Sequence, residues 1–328
     1  MASVRLGWRD AMDTALYGEH GFYRRGERPA HHFRTSVHAS DVFAEALLSL
    51  LAEVDAALGH PDPFDLVDMG AGGGELVSRL LSLAPAELAV RLRPHGVDLS
   101  PRPADLPGRV EWSDTPPDKI TGLVVANEWL DNVPLDVAEL TPDGPRLLLV
   151  DPATGEESLG GPVTGEDAAW LERWWPLRRP GDRAEVGRPR DEAWASVVSR
   201  LAAGTAVAID YAHTSPADRP CHGTLTAYRD GRPAAPVPDG SCDITAHVAL
   251  DACAAAGEAA GAAETTLTTQ RAALMSLGVT GRRPPLDLAR TDPRAYLTRL
   301  SRAGQEAELI DPHGLGGFGW LAQSVPPR

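Results

Sequence analysis

The sequence predicts an α/β fold with a doubly wound, parallel sheet. Short apolar stretches of strand length, at residues 64–69, 109–112, 121–127 and 205–210 and in a segment ending at 96–98, alternate with stretches whose apolar residues recur at helical spacing. The run 121–127 is almost continuously apolar, as strands buried on both faces are. This alternation is typical of a sheet that is covered by helices on both faces.

The strongest helix signal begins at Ser40 and Asp41, either of which can cap a helix, and its apolar residues recur as far as Leu58. Pro61 follows and ends the pattern. Further helices are predicted at residues 75–83, 167–175, 191–201, 245–256, 268–277 and 293–308. A hairpin of residues 137–140 and 147–150, a polar loop at 212–241 and a terminal strand at 316–323 complete the expected elements.

Charge argues against a role in binding nucleic acid. The chain of 328 residues has 46 acidic against 31 basic residues, a formal net charge of −15. Affinity for phosphate backbones depends on lysine and arginine, which are the minority here. We therefore expect a protein or small-molecule partner rather than a nucleic acid.

The three cysteines (Cys221, Cys242 and Cys253) have no Cys-x-x-Cys spacing and no paired histidine. This pattern disfavours both a disulfide framework and structural zinc, and it fits reduced thiols in a cytoplasm. No stretch has the apolar length needed to span a bilayer, so membrane insertion is not expected.

A glycine run, residues 70–74, lies between a predicted strand and a predicted helix. Glycines there let the backbone approach a ligand, and the amides at a helix start supply donors. The dinucleotide pattern would need glycine at position 75, which is Glu75, whereas the pattern acid-x-G-x-G-x-G is met with Asp68 as the acid. A carboxylate favours the sulfonium and ammonium of S-adenosylmethionine and repels a pyrophosphate. We therefore expect Asp68, Gly70, Ala71, Gly72 and Gly74 to bind S-adenosylmethionine.

Further cofactor contacts are expected where the next strands end. Asp98 closes the second strand and is placed to accept hydrogen bonds from the ribose hydroxyls, with Leu99 beside it. Asp114 follows the third strand and could accept from the adenine amine, although a plain loop aspartate fits equally well. Asn127 ends the fourth strand, at the edge where ligands of α/β sheets bind.

Glu128 and Asp131 follow that strand and are the expected catalytic pair. In a helical turn their spacing of three would bring both carboxylates to one side. Methyl transfer is mainly a matter of aligning the nucleophile with the methyl carbon. Two carboxylates suit a cationic nucleophile such as guanidinium, because the guanidinium fork pairs with carboxylates. The alternative is that Glu128 caps a helix and Asp131 faces solvent.

Other polar residues give weaker signals. Tyr228 and Arg229 in the long loop are expected to contact the substrate, and so is His247. Asp243 is expected to be the N-cap of a helix that has His247 in its first turns. No histidine pair has the spacing of a metal site, so no metal is expected.

These features divide the chain into four expected segments. Residues 1–60 form an N-terminal helical segment, and residues 61–135 form the cofactor-binding half of the core. Residues 136–203 are an insertion that covers the substrate, and residues 204–328 form the C-terminal half with the substrate loop.

Taken together, the motifs resemble the MidA-type S-adenosylmethionine-dependent methyltransferases, which include the mitochondrial arginine methyltransferase of complex I assembly. The matching blocks run in order over nearly the whole chain. They are residues 15–17 with 21–23, 68–74, 126–131, 209–211, 223–229, 243–248, 269–270 and 314–318. The resemblance implies a class I methyltransferase fold with large insertions, S-adenosylmethionine as cofactor, and a protein arginine as acceptor, with a respiratory complex I subunit as one candidate.

One stretch departs from this family. Its members carry Gly-Asp-Phe-x-Thr-Ala-Pro-Glu early in the chain, whereas residues 32–38 here read His-Phe-Arg-Thr-Ser-Val-His. The change leaves two alternatives open: a methyltransferase for a small metabolite, and a cofactor-binding assembly factor without turnover. The sequence names neither the acceptor nor the oligomeric state.

Overall fold

The computed structural model describes residues 4–25, 36–39 and 41–327. Most of the departing stretch, residues 32–35, lies outside them. The helices are α1 (Trp8–Tyr17), α2 (Ser36–Ala39), α3 (Asp41–Ala57), α4 (Glu75–Leu83), α5 (Ala86–Arg91), α6 (Gly165–Trp174), α7 (Arg188–Ser199), α8 (Leu250–Ala259), α9 (Gln270–Ser276), α10 (Leu286–Thr291) and α11 (Pro293–Leu309). Short 3-10 turns are formed by Phe22–Arg25, Leu130–Asn132, Pro216–Asp218 and Leu315–Gly317.

The strands are short, and many of them lie outside the main sheet. They are β1 (Leu6–Gly7), β2 (Phe64–Met69), β3 (Leu92–Val97), β4 (Glu111–Ser113), β5 (Ile120–Asn127), β6 (Asp136–Thr141), β7 (Gly144–Val150), β8 (Glu157–Pro162), β9 (Arg183–Val186), β10 (Leu201–Asp210), β11 (Ala212–His213), β12 (Thr226–Arg229), β13 (Arg232–Ala234), β14 (Asp243–Thr245), β15 (Val248–Ala249), β16 (Glu264–Thr269) and β17 (Gly319–Val325).

The chain divides into two compact units, each assembled from three segments. The first unit contains residues 1–33, 127–200 and 210–265, and the second contains residues 34–126, 201–209 and 266–328. The chain therefore passes from one unit to the other where β5 and β10 end.

The main sheet has seven strands in the order β16-β17-β10-β5-β2-β3-β4. Strand β2 pairs in parallel with both β3 and β5, and β3 pairs in parallel with β4. From β2 the chain first moves outward through β3 to β4 and then returns to the other side of β2 as β5 and β10, which is the doubly wound order. Met69 lies opposite both Val97 and Ala126. The predicted α/β fold is confirmed.

Apolar periodicity explains most of these elements. All six residues of β2 are buried, and helix α3 buries Phe43, Leu47 and Leu51 on one face. The predicted hairpin of residues 137–150 is confirmed as β6 and β7, and the long C-terminal helix as α11.

The first unit has its own sheets and core. Strands β1, β7, β6 and β9 form an antiparallel sheet, with β8 paired to β7, and β13, β12 and β14 form a second one. Trp8, Met12 and Leu16 of α1 pack with Leu148 and Ile244 in one buried cluster. Helix α1 is thus part of this unit's core.

Two expectations were wrong. The stretch 212–241 is not a plain polar loop, because it contains the strands β11, β12 and β13. These strands have too few residues to give a periodic signal in the sequence. The helix expected at 245–256 begins only at Leu250, since Asp243–Thr245 is strand β14 and pairs with β12. The strands β8, β9 and β16 and the helix α5 were not predicted.

Candidate active site

The glycine loop, residues 70–74, is tied to the end of β3 by its own backbone. The amides of Gly70 and Ala71 both donate to the carbonyl of Val97, at 2.9 and 3.1 Å. The amide of Gly72 donates to Oδ2 of Asp98 at 2.8 Å. Backbone donors therefore fix the loop against the strand that carries the predicted ribose acid.

Two glycines of the loop are required for different reasons. Both have positive φ, 55° for Gly72 and 73° for Gly74, a conformation that other residues adopt at a cost of roughly 1–2 kcal/mol. A Cβ on Gly74 would lie 2.4 Å from Cδ1 of Leu106, whereas a Cβ on Gly72 would meet nothing within 4 Å. Gly74 is thus needed for packing, and Gly72 leaves its backbone open to a ligand.

Asp68 is buried in β2, with 5% of its surface exposed, and its Oδ2 has no hydrogen-bond partner among the described residues. Burial, together with the charges of Asp98 and Glu75, raises the pKa of this carboxyl to about 8. A buried acceptor without a donor costs free energy unless a ligand supplies one. The ammonium of S-adenosylmethionine is a donor that fits this position.

The predicted ribose acid, Asp98, is half-buried. Its Oδ2 accepts from the amide of Gly72, and its Oδ1 accepts from the amide of Ser100 at 2.7 Å. Each carboxylate oxygen has a further lone pair to offer a hydroxyl. Leu99, with 49% of its surface exposed, and Asp114 are both open to solvent.

The second group of site residues follows β5, and residues 127–133 are here called the β5 turn. Asn127 donates from Nδ2 to Oε1 of Glu128 at 3.1 Å, and its own Oδ1 is buried without a hydrogen-bond partner in the described part of the chain. Glu128 has a φ of 51°, which is rare for a residue with a side chain. Strain of this kind is concentrated at functional sites.

The helical turn expected to hold both acids begins too late for Glu128. The turn is the 3-10 segment Leu130–Asn132, so only Asp131 belongs to it. The reason lies at its start, where Oδ2 of Asp210 accepts from the amides of Leu130 and Asp131, at 3.0 and 3.1 Å. Glu128 leaves the strand in a left-handed conformation, and the carboxylate of Asp210 caps the turn that follows it.

Asp131 does not face solvent, because only 5% of its surface is exposed. Its Oδ2 accepts from the hydroxyl of Thr245 at 2.8 Å, while its Oδ1 has no hydrogen-bond partner among the described residues. Burial raises the pKa of this carboxyl, and the hydroxyl of Thr245 and the charge of Arg190 partly oppose the rise.

Arg190 holds the other end of the β5 turn, a role for which the sequence contains no local signal. Its guanidinium is buried and donates to the carbonyls of Asp131 and Val133, the latter at 3.2 Å. It also donates to the carbonyls of Ala246 and His247, at 2.7 and 3.1 Å. One side chain therefore joins the turn to the segment that follows β14.

Asp243 lies at the start of β14 and is not the helix N-cap that was expected. It is buried, and its Oδ1 lies 2.9 Å from the hydroxyl of Tyr23 and 3.0 Å from Nδ2 of Asn132. Burial, together with the charge of Asp131, raises the pKa of Asp243 to about 7. Tyr17 stacks on Tyr23 with ring centroids 5.7 Å apart and donates to the carbonyl of Asn132 at 3.2 Å.

The predicted substrate residues have different surroundings. His247 stacks on Tyr211 with centroids 5.8 Å apart, and burial lowers the pKa of its imidazole, which favours the neutral form. Tyr228 is half-buried in β12. Arg229 is exposed and donates to the hydroxyl of Ser241. These three assignments stay predictions.

The altered N-terminal stretch contributes a buried side chain to the described part of the chain. Ser36 is fully buried and donates to Oε1 of Gln270 at 3.1 Å. Within residues 4–25, 36–39 and 41–327, no cluster of histidine, cysteine and acidic side chains could hold a metal ion. None of the helices described there is long and apolar enough to cross a membrane.

Both parts of the site lie within a match to a known family. A family model described as "Putative S-adenosyl-L-methionine-dependent methyltransferase" matches residues 47–268, more than half of the chain. The search of curated proteins gave no match.

Two solved structures are similar to nearly the whole chain. One is a COG1565 superfamily member from Burkholderia thailandensis bound to S-adenosyl-homocysteine, at 29% identity over 98% of this chain and 88% of that chain, with a TM-score of 0.81. The other is a native structure of a COG1565 superfamily protein from the same organism, at 27% identity over 98% of this chain and 87% of that chain, with a TM-score of 0.79.

Proposed function

The chain belongs to this family of S-adenosylmethionine-dependent methyltransferases, and we propose that its methyl acceptor is an arginine side chain of a partner protein. The proposal rests on one observation, the excess of acidic side chains in the β5 turn and its neighbours. Glu128, Asp131, Asp210 and Asp243 belong to one unit, and Arg190 is the buried guanidinium among them.

Such an excess of buried carboxyls favours a cationic guest. The donors of Arg190 are already bonded to four backbone carbonyls. Oδ1 of Asp131 is a buried acceptor to which no described residue donates, so a donor from the substrate would remove a desolvation penalty. Guanidinium carries five N–H donors in a planar fork that matches carboxylates.

Arginine also fits the chemistry that this family performs. Guanidinium is a poor nucleophile while its charge is spread over three nitrogens. A carboxylate bonded to two of them draws the charge away from the third, and it aligns the third nitrogen for attack. We assign this role to Glu128, with Asp131 as the second carboxyl, because the strained backbone of Glu128 points to a functional constraint.

Most residues assigned to the cofactor belong to the second unit. We propose that Asp68 receives the charged methionine end, that the glycine loop lies against the cofactor, and that Asp98 accepts the ribose hydroxyls, with Leu99 and Asp114 as further contacts. Asn127, the last residue of β5, is assigned to the cofactor from the sequence alone. When bound, S-adenosylmethionine supplies the electrophilic methyl group.

The test uses methyl-labelled cofactor and an extract of cells from which the gene of this chain has been deleted. Labelled products are separated by size and mapped by mass spectrometry, and candidate acceptors include subunits of respiratory complex I. We expect label on an arginine of a protein with wild type and none with Glu128→Gln, which keeps the shape and removes the charge. Label on lysine or on a small metabolite would overturn the arginine proposal. Binding of the cofactor with no labelled product would instead indicate an assembly factor.

A further inference from the structure

The β5 turn encloses three buried ionisable groups whose charges do not balance. Arg190 has 1% of its surface exposed, Asp210 has 1% and Asp131 has 5%. One guanidinium can neutralise one carboxylate, and a second ionised carboxylate would remain as an uncompensated buried charge. The penalty for such a charge is several kcal/mol, so a carboxyl in this position takes up a proton.

The hydrogen bonds decide which carboxyl keeps its charge. Oδ2 of Asp210 accepts from the amides of Leu130 and Asp131, and its Oδ1 accepts from the amide of Tyr211 at 2.9 Å. Backbone amides can only donate, and three of them stabilise a carboxylate strongly. They oppose the burial and the charge of Asp131, which raise the pKa of Asp210. Asp131 has a single side-chain donor, the hydroxyl of Thr245 on Oδ2, and a bare Oδ1.

We propose that, while no acceptor is bound, Asp210 is ionised and its charge is balanced by that of Arg190, whereas Asp131 carries a proton on its unpartnered Oδ1. Asp210 and Arg190 are then positioning residues that hold the β5 turn from its two ends. Glu128, the other acid of the expected catalytic pair, is only half-buried. The two acids of that pair therefore have different roles before the acceptor arrives.

The other ionisable groups around Asp131 act in the same direction. Asp243 on β14 faces it from one side, and Tyr23 from the N-terminal 3-10 turn lies beside Asp243. Tyr211 follows Asp210 and lies near both Glu128 and Asp131. Burial raises the pKa of both tyrosines, which keeps them neutral, so none of these groups adds positive charge.

A consequence follows that rests on the proposed function. A guanidinium placed at Oδ1 would supply the missing positive charge, so Asp131 would release its proton to solvent when the acceptor binds. The net charge of this cluster would stay the same before and after binding. Acceptor affinity would therefore increase with pH until Asp131 is ionised in the free protein.

Infrared difference spectra of the full-length protein test the location of the proton without any acceptor. Wild type is compared with Asp131→Asn at neutral pH. We expect Asp131→Asn to lose the carbonyl stretch of a protonated carboxyl and to keep the carboxylate stretches. Loss of carboxylate stretches with an unchanged acid region in Asp131→Asn would overturn the proposal.

A second variant locates the proton on Asp131 if an aspartate substitution prevents folding. Thr245→Val removes the donor from Oδ2 of Asp131 and nearly preserves the side-chain shape. If Asp131 is protonated, its acid carbonyl band shifts to higher frequency in this variant. An unchanged acid region together with a shifted carboxylate band would show that Asp131 is ionised, against the proposal.

Calorimetry separates this inference from the arginine assignment. N-acetylarginine methylamide is titrated into the protein with S-adenosylhomocysteine present, in two buffers of different ionisation enthalpy. We expect a proton to be released on binding. Spectra as expected but no binding of this probe would leave the proton on Asp131 and count against the arginine proposal alone.

Discussion

The glycine loop and the β5 turn both begin where a strand of the main sheet ends, but they are built differently. The glycine loop is held by backbone amides that donate to Val97 and to Asp98, all within 28 positions of one another. The β5 turn is held by side chains from distant parts of the chain. Asp210 lies 80 positions from Leu130, and Arg190 lies 59 positions from Asp131.

This difference shows how one chain can keep its cofactor chemistry while the acceptor side varies. A loop fixed by its own backbone requires a few glycines and one acid. A turn fixed by buried ionic groups depends on three other segments, so a change in any of them alters the turn. The first arrangement is local, and the second is a property of the folded first unit.

The largest effect is expected from Arg190→Ala. The change leaves four carbonyls without their donor and a buried carboxylate without a balancing charge, and removing one member of a buried ionic cluster costs about 3–5 kcal/mol. The free energy of unfolding, measured by urea titration, should fall by that amount. Arg188→Ala on the same helix is the matched control, because its half-exposed salt bridges with Asp167 and Glu192 contribute about 1 kcal/mol or less. Similar losses in both variants would refute the anchoring role of Arg190.

Asp98→Ala should act on the cofactor and leave the β5 turn intact. Loss of a charged acceptor costs roughly 1.5–3 kcal/mol, which weakens S-adenosylhomocysteine binding about tenfold or more. Isothermal titration calorimetry measures the change. Asp114→Ala provides the comparison and should cost about 0.5–1.5 kcal/mol if this exposed acid contacts the adenine amine. Unchanged affinity in Asp98→Ala would remove Asp98 from the site.

The pH dependence of stability should reveal Asp68. Its pKa is raised from 3.8 to about 8, so between these values the folded protein binds more protons than the unfolded chain. The contribution of this group is therefore fully present below pH 3.8 and is lost as the pH rises towards 8. The stability of cofactor-free Asp68→Asn relative to wild type should increase with pH across this window. A constant difference would show that Asp68 is ionised in the folded protein.

A smaller effect is expected from Tyr23→Phe, which removes the hydroxyl near Asp243 and Asn132. A net hydrogen bond contributes about 0.5–1.5 kcal/mol, and thermal unfolding should show a loss of this size. Tyr296→Phe on α11 is the control and should be nearly neutral, since its hydroxyl makes no hydrogen bond to the described residues. A neutral Tyr23→Phe would mean that Asn132 alone satisfies Asp243.

The sequence was sufficient for the main sheet and the glycine loop because both depend on contiguous residues. Strands such as β2 and β5 are continuous apolar runs, and the loop is five residues long. Asp210 stands in a motif of the family resemblance but without an assigned role, and Arg190 has no local signal at all. Asp243 was misread as a helix cap, because an aspartate before an apolar run looks the same whether it caps a helix or enters a strand.

The most direct test of the division between the two regions is a cofactor titration of Glu128→Gln beside Asp98→Ala. S-adenosylhomocysteine is titrated into both variants. Transfer of the methyl group from labelled cofactor to the acceptor is measured on the same preparations. We predict that Glu128→Gln binds S-adenosylhomocysteine within about twofold of wild type and loses methyl transfer by roughly 10²–10⁴-fold. Binding weakened as strongly as in Asp98→Ala, or methyl transfer at the wild-type rate, would contradict the assignment of Glu128 to the acceptor.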